Sequence, residues 1–209
     1  MNSKLFVYSG WAIVWTLALY YIYTNALRYF NPSYEIYTPD FKPYAPFIVI
    51  HVAGGMTALL IGPLQFFTSL RNNYPRLHRR IGRIYLTSIM FAGVAAVYLA
   101  IFDNIIRKKE FIFATGTMGM ALAWFITAGM AFWAIKKKKI SQHKEWMIRS
   151  YVLTSNFILF RLMFYGLLEI EDFQFKDDIG SVTAWASWSI PLLITEFILQ
   201  ARKIKNSIA

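Results

Sequence analysis

The sequence predicts an all-α fold: a six-helix transmembrane bundle, N-in and C-in, forming one domain over residues 1–209. Three observations predict it. Residues are 57% hydrophobic and only 16% charged, where a soluble domain carries about 25% charge. The apolar residues come in long runs and not in alternation, and about twenty residues rising ~1.5 Å each cross ~30 Å of hydrocarbon. The cations then sort to alternate sides of those runs. There is no cysteine, which excludes disulfides, thiolate metal sites and thiol chemistry. The net charge of +11 sits between apolar runs, so it reads as a basic membrane face, and nucleic acid is not an expected partner.

The spans are read as 5–24, 45–69, 83–102, 112–135, 148–168 and 183–201. The first follows only Lys4, as a secretory signal would. It is rich in Trp and Tyr and lacks a small-x-small cleavage site, so it is read as an uncleaved helix. The connection "NALRYFNPSYEIYTPDFKPY" (25–44) has three prolines and several tyrosines, which suits a loop along the outer interface. The second span carries "HVAGGMTALLIGPLQFF", where Gly54, Gly55 and Gly62 permit close helix approach. Pro63 should kink it, and the carbonyl freed near Leu59 then needs another donor. The third span opens from "LHRRIGRIYLTS" and the fifth from "QHKEWMIRSYVLTS". Both read His, Arg, Tyr, then Thr-Ser, which suggests two helix starts and related hairpins arranged as parallel repeats. The fourth span ends in the run Lys136 to Lys139. The sixth follows the acidic stretch "EIEDFQFKDDIG" and ends in a basic tail.

Orientation follows from counting cations. One side holds fifteen: Lys4, Arg71, Arg76, Arg79, Arg80, Arg83, Lys136 to Lys139, Lys144, Arg149, Arg202, Lys203 and Lys205. The other holds six: Arg28, Lys42, Arg107, Lys108, Lys109 and Lys176. The richer side is the cytoplasm, with "DNIIRKKEF" the one discordant loop.

Polar residues inside spans ask for partners, because a central charge costs at least about 2.5–3.5 kcal/mol on insertion scales. Depth arithmetic at ~1.5 Å per residue puts His51 and Arg161 at one outer level. An outer polar site is therefore expected from His51 and Arg161, with Trp185 and Trp188 near its mouth. The same arithmetic sets Arg161 and Glu196 about 10 Å apart in depth, so they are not expected to pair. Glu196 falls at the inner level of Gln65, Arg149 and Tyr151. With His78, Arg83 and His143 these make an expected inner polar site facing the cytoplasm. Each residue also has a plainer reading: snorkelling arginines at the interface, and histidines bonded to a neighbouring backbone carbonyl.

Two histidines on neighbouring helices at one depth are the minimum for a b-type haem, with His78 and His143 as iron ligands and arginines on the propionates. A quinone or lipid headgroup uses the same residue types with looser geometry. A metal site from His78, His143 and Glu196 fits no recognised spacing. Ionisable groups in both leaflets also suit a proton or solute path. No nucleotide loop, catalytic triad or zinc-protease helix is present, so catalysis on a soluble substrate is not expected.

The motifs "HVAGGMTALLIGPLQF", "LHRRIGRIYL" and "HKEWMIRSYVLTSNFILFRL" resemble a bacterial family of integral membrane proteins classed as a domain of unknown function. The resemblance runs from about His51 to Glu196. It implies that His51, Gly55, Gly62, Gln65, His78, Arg79, Gly82, Tyr85, His143, Trp146, Arg149, Tyr151, Arg161 and Glu196 carry the family pattern. It also implies a multi-pass protein of the bacterial inner membrane. The leading expectation is a membrane-embedded protein that binds a quinone or b-type haem at the inner site. The alternatives are a small transporter or proton conductor, and a non-catalytic accessory or assembly subunit. The bilayer is the expected partner, together with a membrane-protein complex or a second copy of the chain.

Overall fold

The computed structural model describes residues 3–170 and 178–208. Most of the acidic stretch expected on the outer side, with Lys176, lies outside them. Among the described residues the regular structure is entirely helical. The α-helices are α1 (Ser3–Tyr21), α2 (Ala45–Ile61), α3 (Thr68–Asn73), α4 (Pro75–Leu99), α5 (Phe111–Lys136), α6 (Ile140–Thr154), α7 (Asn156–Leu168) and α8 (Ile179–Ile208). Four stretches are long and apolar enough to cross a membrane: Lys42–Phe66, Pro75–Lys108, Phe111–Lys136 and Ile179–Ser207. α6 and α7, bent by 41° at Ser155, make a fifth when taken as one span. α1 is not among the stretches found within the described residues.

The chain divides into two compact units, Met1–Ala95 and Ala96–Ala209. The dividing point falls inside α4, so no linker marks it in the sequence.

In the first unit, α1 continues through a π-helical turn, Ile22–Ala26, and a 3-10 turn, Leu27–Phe30. The end of that path packs on α2 through Ile22, Ala26 and Val52. Pro63 does not kink a continuing helix as expected. α2 ends at Ile61 and the chain tightens into a 3-10 segment, Gly62–Phe66, before Phe67 turns extended. Pro63 has no N–H to donate, so the α ladder stops there. A donor does reach this turn: the Trp15 indole N–H bonds the Leu60 carbonyl at 3.0 Å. Trp11 stacks on Phe66 (ring centroids 5.3 Å apart) and docks α1 on the same corner. Gly54 lets α2 approach α4 closely, because a Cβ there would lie 2.8 Å from the Ser88 carbonyl oxygen and 2.9 Å from Ala92 Cβ.

α4 begins at Pro75, eight residues before the expected start of the third span. Nothing in "PRLHRRIGR" stops a helix, and Pro is at home in a first turn. The charges set where a hydrocarbon window begins, not where the helix does. The connection at residues 25–44 is also more ordered than a plain loop. Tyr29 meets Tyr34 edge to face, Tyr34 meets Tyr37, and the Arg28 guanidinium lies over the Tyr29 and Tyr34 rings at 5.8 and 5.4 Å. Tyr37 donates its hydroxyl to the Tyr29 carbonyl. Burial, and then the neighbouring phenols of Tyr29 and Tyr34, push the Tyr37 hydroxyl above its ordinary pKa.

In the second unit, α4 runs into a π-helical stretch, Ala100–Lys108, closed by Lys109 in the left-handed region. Asp103 is buried there and takes both Arg107 and Lys108. Two cations of the discordant "DNIIRKKEF" loop are thus paired to a carboxylate of their own segment. α5 is the hub, packed on α6 and α8. Trp124, 1% exposed, anchors it by donating to Thr154 Oγ1 at 3.0 Å. The α6–α7 bend has a local cause. Thr154 Oγ1 donates to the Ser150 carbonyl and Ser155 Oγ to the Tyr151 carbonyl (2.9 and 3.0 Å). Consecutive hydroxyls that bond back into their own helix loosen its ladder and bend it.

Candidate functional site

The expected site residues fall into the two units, and each set has its own surroundings. In the first unit, His51 donates its Nδ1–H to the Ala92 carbonyl at 3.0 Å. The carbonyl can only accept, so the tautomer is fixed by its partner. Gln65 lies against the first turns of α4. Its amide N–H reaches the His78 carbonyl at 3.4 Å, and its Oε1 lies 3.0 Å from where a Cβ on Gly82 would stand. Gln65 therefore ties the 3-10 segment after α2 to the start of α4. His78 is half-buried, while Arg79 and Arg83 are exposed.

In the second unit, the structure brings Arg149, Glu196 and two residues that sequence reasoning missed into one ionic group. Arg149 is 7% exposed. Its Nε lies 2.8 Å and its Nη2 2.6 Å from Glu196 Oε2, a two-pronged grip across α6 and α8. Nη1 is 3.6 Å from Glu145 Oε2, and the same Glu145 oxygen takes Lys203 Nζ at 2.7 Å. Gln200 donates to the other Glu196 oxygen at 2.5 Å. The guanidinium also lies over the Trp146 ring, 4.7 Å from its centroid. Two cations and two anions cancel, so the group closes on itself. Glu145 had a readable signal, its i,i+4 spacing to Arg149. Lys203 had none, because it joins from another helix. Tyr151 is buried two residues after Arg149, and its carbonyl accepts the Ser155 bonds at the bend.

His143 is bonded elsewhere, to α5. It is the fourth residue of α6, as His78 is of α4. Its Nδ1–H goes to the Ala131 carbonyl on α5 at 2.9 Å. In the neutral ring the lone pair is then on Nε2, for which no protein partner is found among the described residues. Trp146 follows one turn along the same face.

Of the outer set, Trp185 and Trp188 are packing residues on α5. Trp188 donates to the Gly116 carbonyl at 3.2 Å, and both indoles lie against Gly119. Arg161 rests over the Phe160 ring at 5.9 Å, and no ion pair holds it among the described residues. Among the described residues no three His, Asp or Glu side chains gather as metal ligands. Two buried hydroxyls one turn apart on α8, Thr183 Oγ1 and Ser187 Oγ, find no hydrogen-bond partner among the described residues.

Residues 48–199 match the family described as "Predicted membrane protein (DUF2306)". No curated protein and no solved structure matches the chain. The match covers most of the sequence, and the chain belongs to that family of membrane proteins.

Proposed function

We propose that this membrane protein binds a lipophilic redox cofactor, a quinone before a b-type haem, on the cytoplasmic side of its second unit. His143 is the group that meets the ligand. The observation that carries this is the fixed imidazole: Nδ1 spent on the Ala131 carbonyl and Nε2 left without a protein partner among the described residues. A lone pair so placed accepts a quinol hydroxyl proton, or ligates iron. The closed ionic group supports a quinone over haem, since Arg149 is already committed to Glu196 and is not spare for a propionate. Arg149 and Glu196 then position α6 against α8 without touching the ligand.

The topology that goes with this has six crossings, with α1 as the first, both termini in the cytoplasm, and the bacterial inner membrane as the location. The cation count supports it. So does the pairing of Arg107 and Lys108 to Asp103, which lowers the unpaired charge of the discordant side.

The test is the cofactor content of the full chain purified from membranes. A quinone in the solvent extract, lost in His143→Ala that still elutes as folded protein, is the expected result. A Soret band lost in the same variant supports the haem form of the reading. A colourless wild type without quinone overturns both.

A further inference from the structure

We propose that an open groove between the α5–α6 connection and the end of α8 binds the phosphate headgroup of an anionic lipid. The groove encloses about 480 Å³ and is lined by Lys138, Lys139, Ile140, Ser141, Glu145 and Lys203, with Gln142. That volume lies within the ~300–1,000 Å³ usual for small-ligand sites. Its charges are not equivalent. Lys203 is taken by Glu145 at 2.7 Å, and Glu145 is further answered by Arg149, so the carboxylate on the lining is already neutralised. Lys138 and Lys139 have no carboxylate partner among the described residues. They are the unspent cations of the groove, and Ser141 adds a hydroxyl donor. The backbone presents them in a costly way: Lys138 sits at φ 59°, a left-handed helix end that ordinarily takes glycine. A lysine there gives up backbone comfort and keeps a cation at the rim, as strained positions at binding sites do.

The surroundings favour a lipid over a free anion. The span Phe111–Lys136 ends two residues before the groove begins. Ile140 lines the groove and is itself 49% exposed, and Trp133 in the last turns of α5 is 55% exposed. Apolar surface beside a pair of unspent lysines suits acyl chains below a headgroup. Basic pockets among transmembrane helices hold anionic headgroups in this way. This inference is independent of the cofactor reading, because none of its groups is His143.

The experiment titrates the full chain, in a zwitterionic detergent, with short-chain phosphatidylglycerol, short-chain phosphatidylcholine or inorganic phosphate. The readout is the thermal unfolding midpoint. Phosphatidylglycerol is expected to raise the midpoint saturably, with the other two inert at the same concentration. Lys138→Gln/Lys139→Gln should weaken the apparent affinity by about tenfold, while Lys205→Gln, on the exposed tail of α8, keeps it. Both lysines are exposed, so the double variant unfolds at the wild-type midpoint without lipid. Equal stabilisation by inorganic phosphate overturns the lipid headgroup in favour of a simple anion site. An equal loss in Lys205→Gln, or no shift with phosphatidylglycerol, overturns the groove altogether.

Discussion

Arg149 is where the physics of single residues is most exacting. A guanidinium cannot shed its charge, so burial at 7% exposure requires a partner with matching geometry, and Glu196 supplies it from another helix. The two partners are not equally dependent. The Arg149 side chain is 9% exposed and that of Glu196 41%, so the carboxylate can be served by water and Gln200 where the guanidinium cannot. Glu196→Ala is therefore expected to destabilise more than Arg149→Met. The loss should be on the order of 2 kcal/mol, below the ~3–5 for breaking a fully buried pair, since Glu196 is partly solvated. Arg149→Met/Glu196→Ala together should lose no more than Glu196→Ala alone, because the buried guanidinium, left with only its longer 3.6 Å contact to Glu145, is gone as well. Unfolding midpoints in detergent decide it, and additive losses would refute the coupling. Arg149 and Glu196 are legible in the sequence through depth, since rise per residue is fixed whatever the fold. Lys203 is not, because the partners of a cation across helices depend on rotation and tilt, which depth does not encode. Asp103 is equally legible, because its i,i+4 spacing to Arg107 is written in "DNIIR".

At the scale of elements, close packing rests on small residues, and two glycines of α5 separate packing from propensity. Gly116 faces α8, where an added Cβ would come within 2.9 Å of Ala184 Cβ and 3.0 Å of its backbone carbonyl carbon. Gly129 has nothing within 4 Å of that position. Gly116→Ala is expected to cost about 1–3 kcal/mol by overpacking, while Gly129→Ala should gain about 0.5–1 from helix propensity alone. Melting of the two variants side by side checks the sign, and a loss in both would mean that α5 is packed on a face other than the one described. Four of the expected spans, and a fifth as a bent pair, are legible because water-soluble folds seldom string together apolar runs of hydrocarbon length. Their ends are not. Charge ends a membrane window while leaving the helix intact, which is why α4 starts before its basic cluster. The break at Ser155 was written in "LTSN" but needed the back-bonding of two hydroxyls to read as a bend rather than a continuing span.

For the whole molecule the number of crossings turns on α1 and on the bent pair α6 and α7. Trp11 and Trp15 of α1 dock on the end of α2, which a membrane-crossing helix and an interfacial one can both do. The parity of crossings, though, fixes on which side the N-terminus lies relative to α3. The chain has no cysteine, so single cysteines can be introduced without removing any. With six crossings, Thr38→Cys and Glu110→Cys react with an impermeant maleimide in intact spheroplasts. Ser3→Cys, Asn73→Cys, Lys137→Cys and Ser207→Cys react only after lysis. Labelling of Ser3→Cys together with Thr38→Cys in intact spheroplasts, the rest unchanged, means that α1 lies on the membrane and the crossings number five. Reversal of the whole pattern would mean that the cation count misassigned the sides. In that case the groove at Lys138 and the His143 site face the outside, and the cytoplasmic placement of the cofactor is lost with them. The accessibility of six positions therefore settles which aqueous compartment His143 faces, before any ligand is identified.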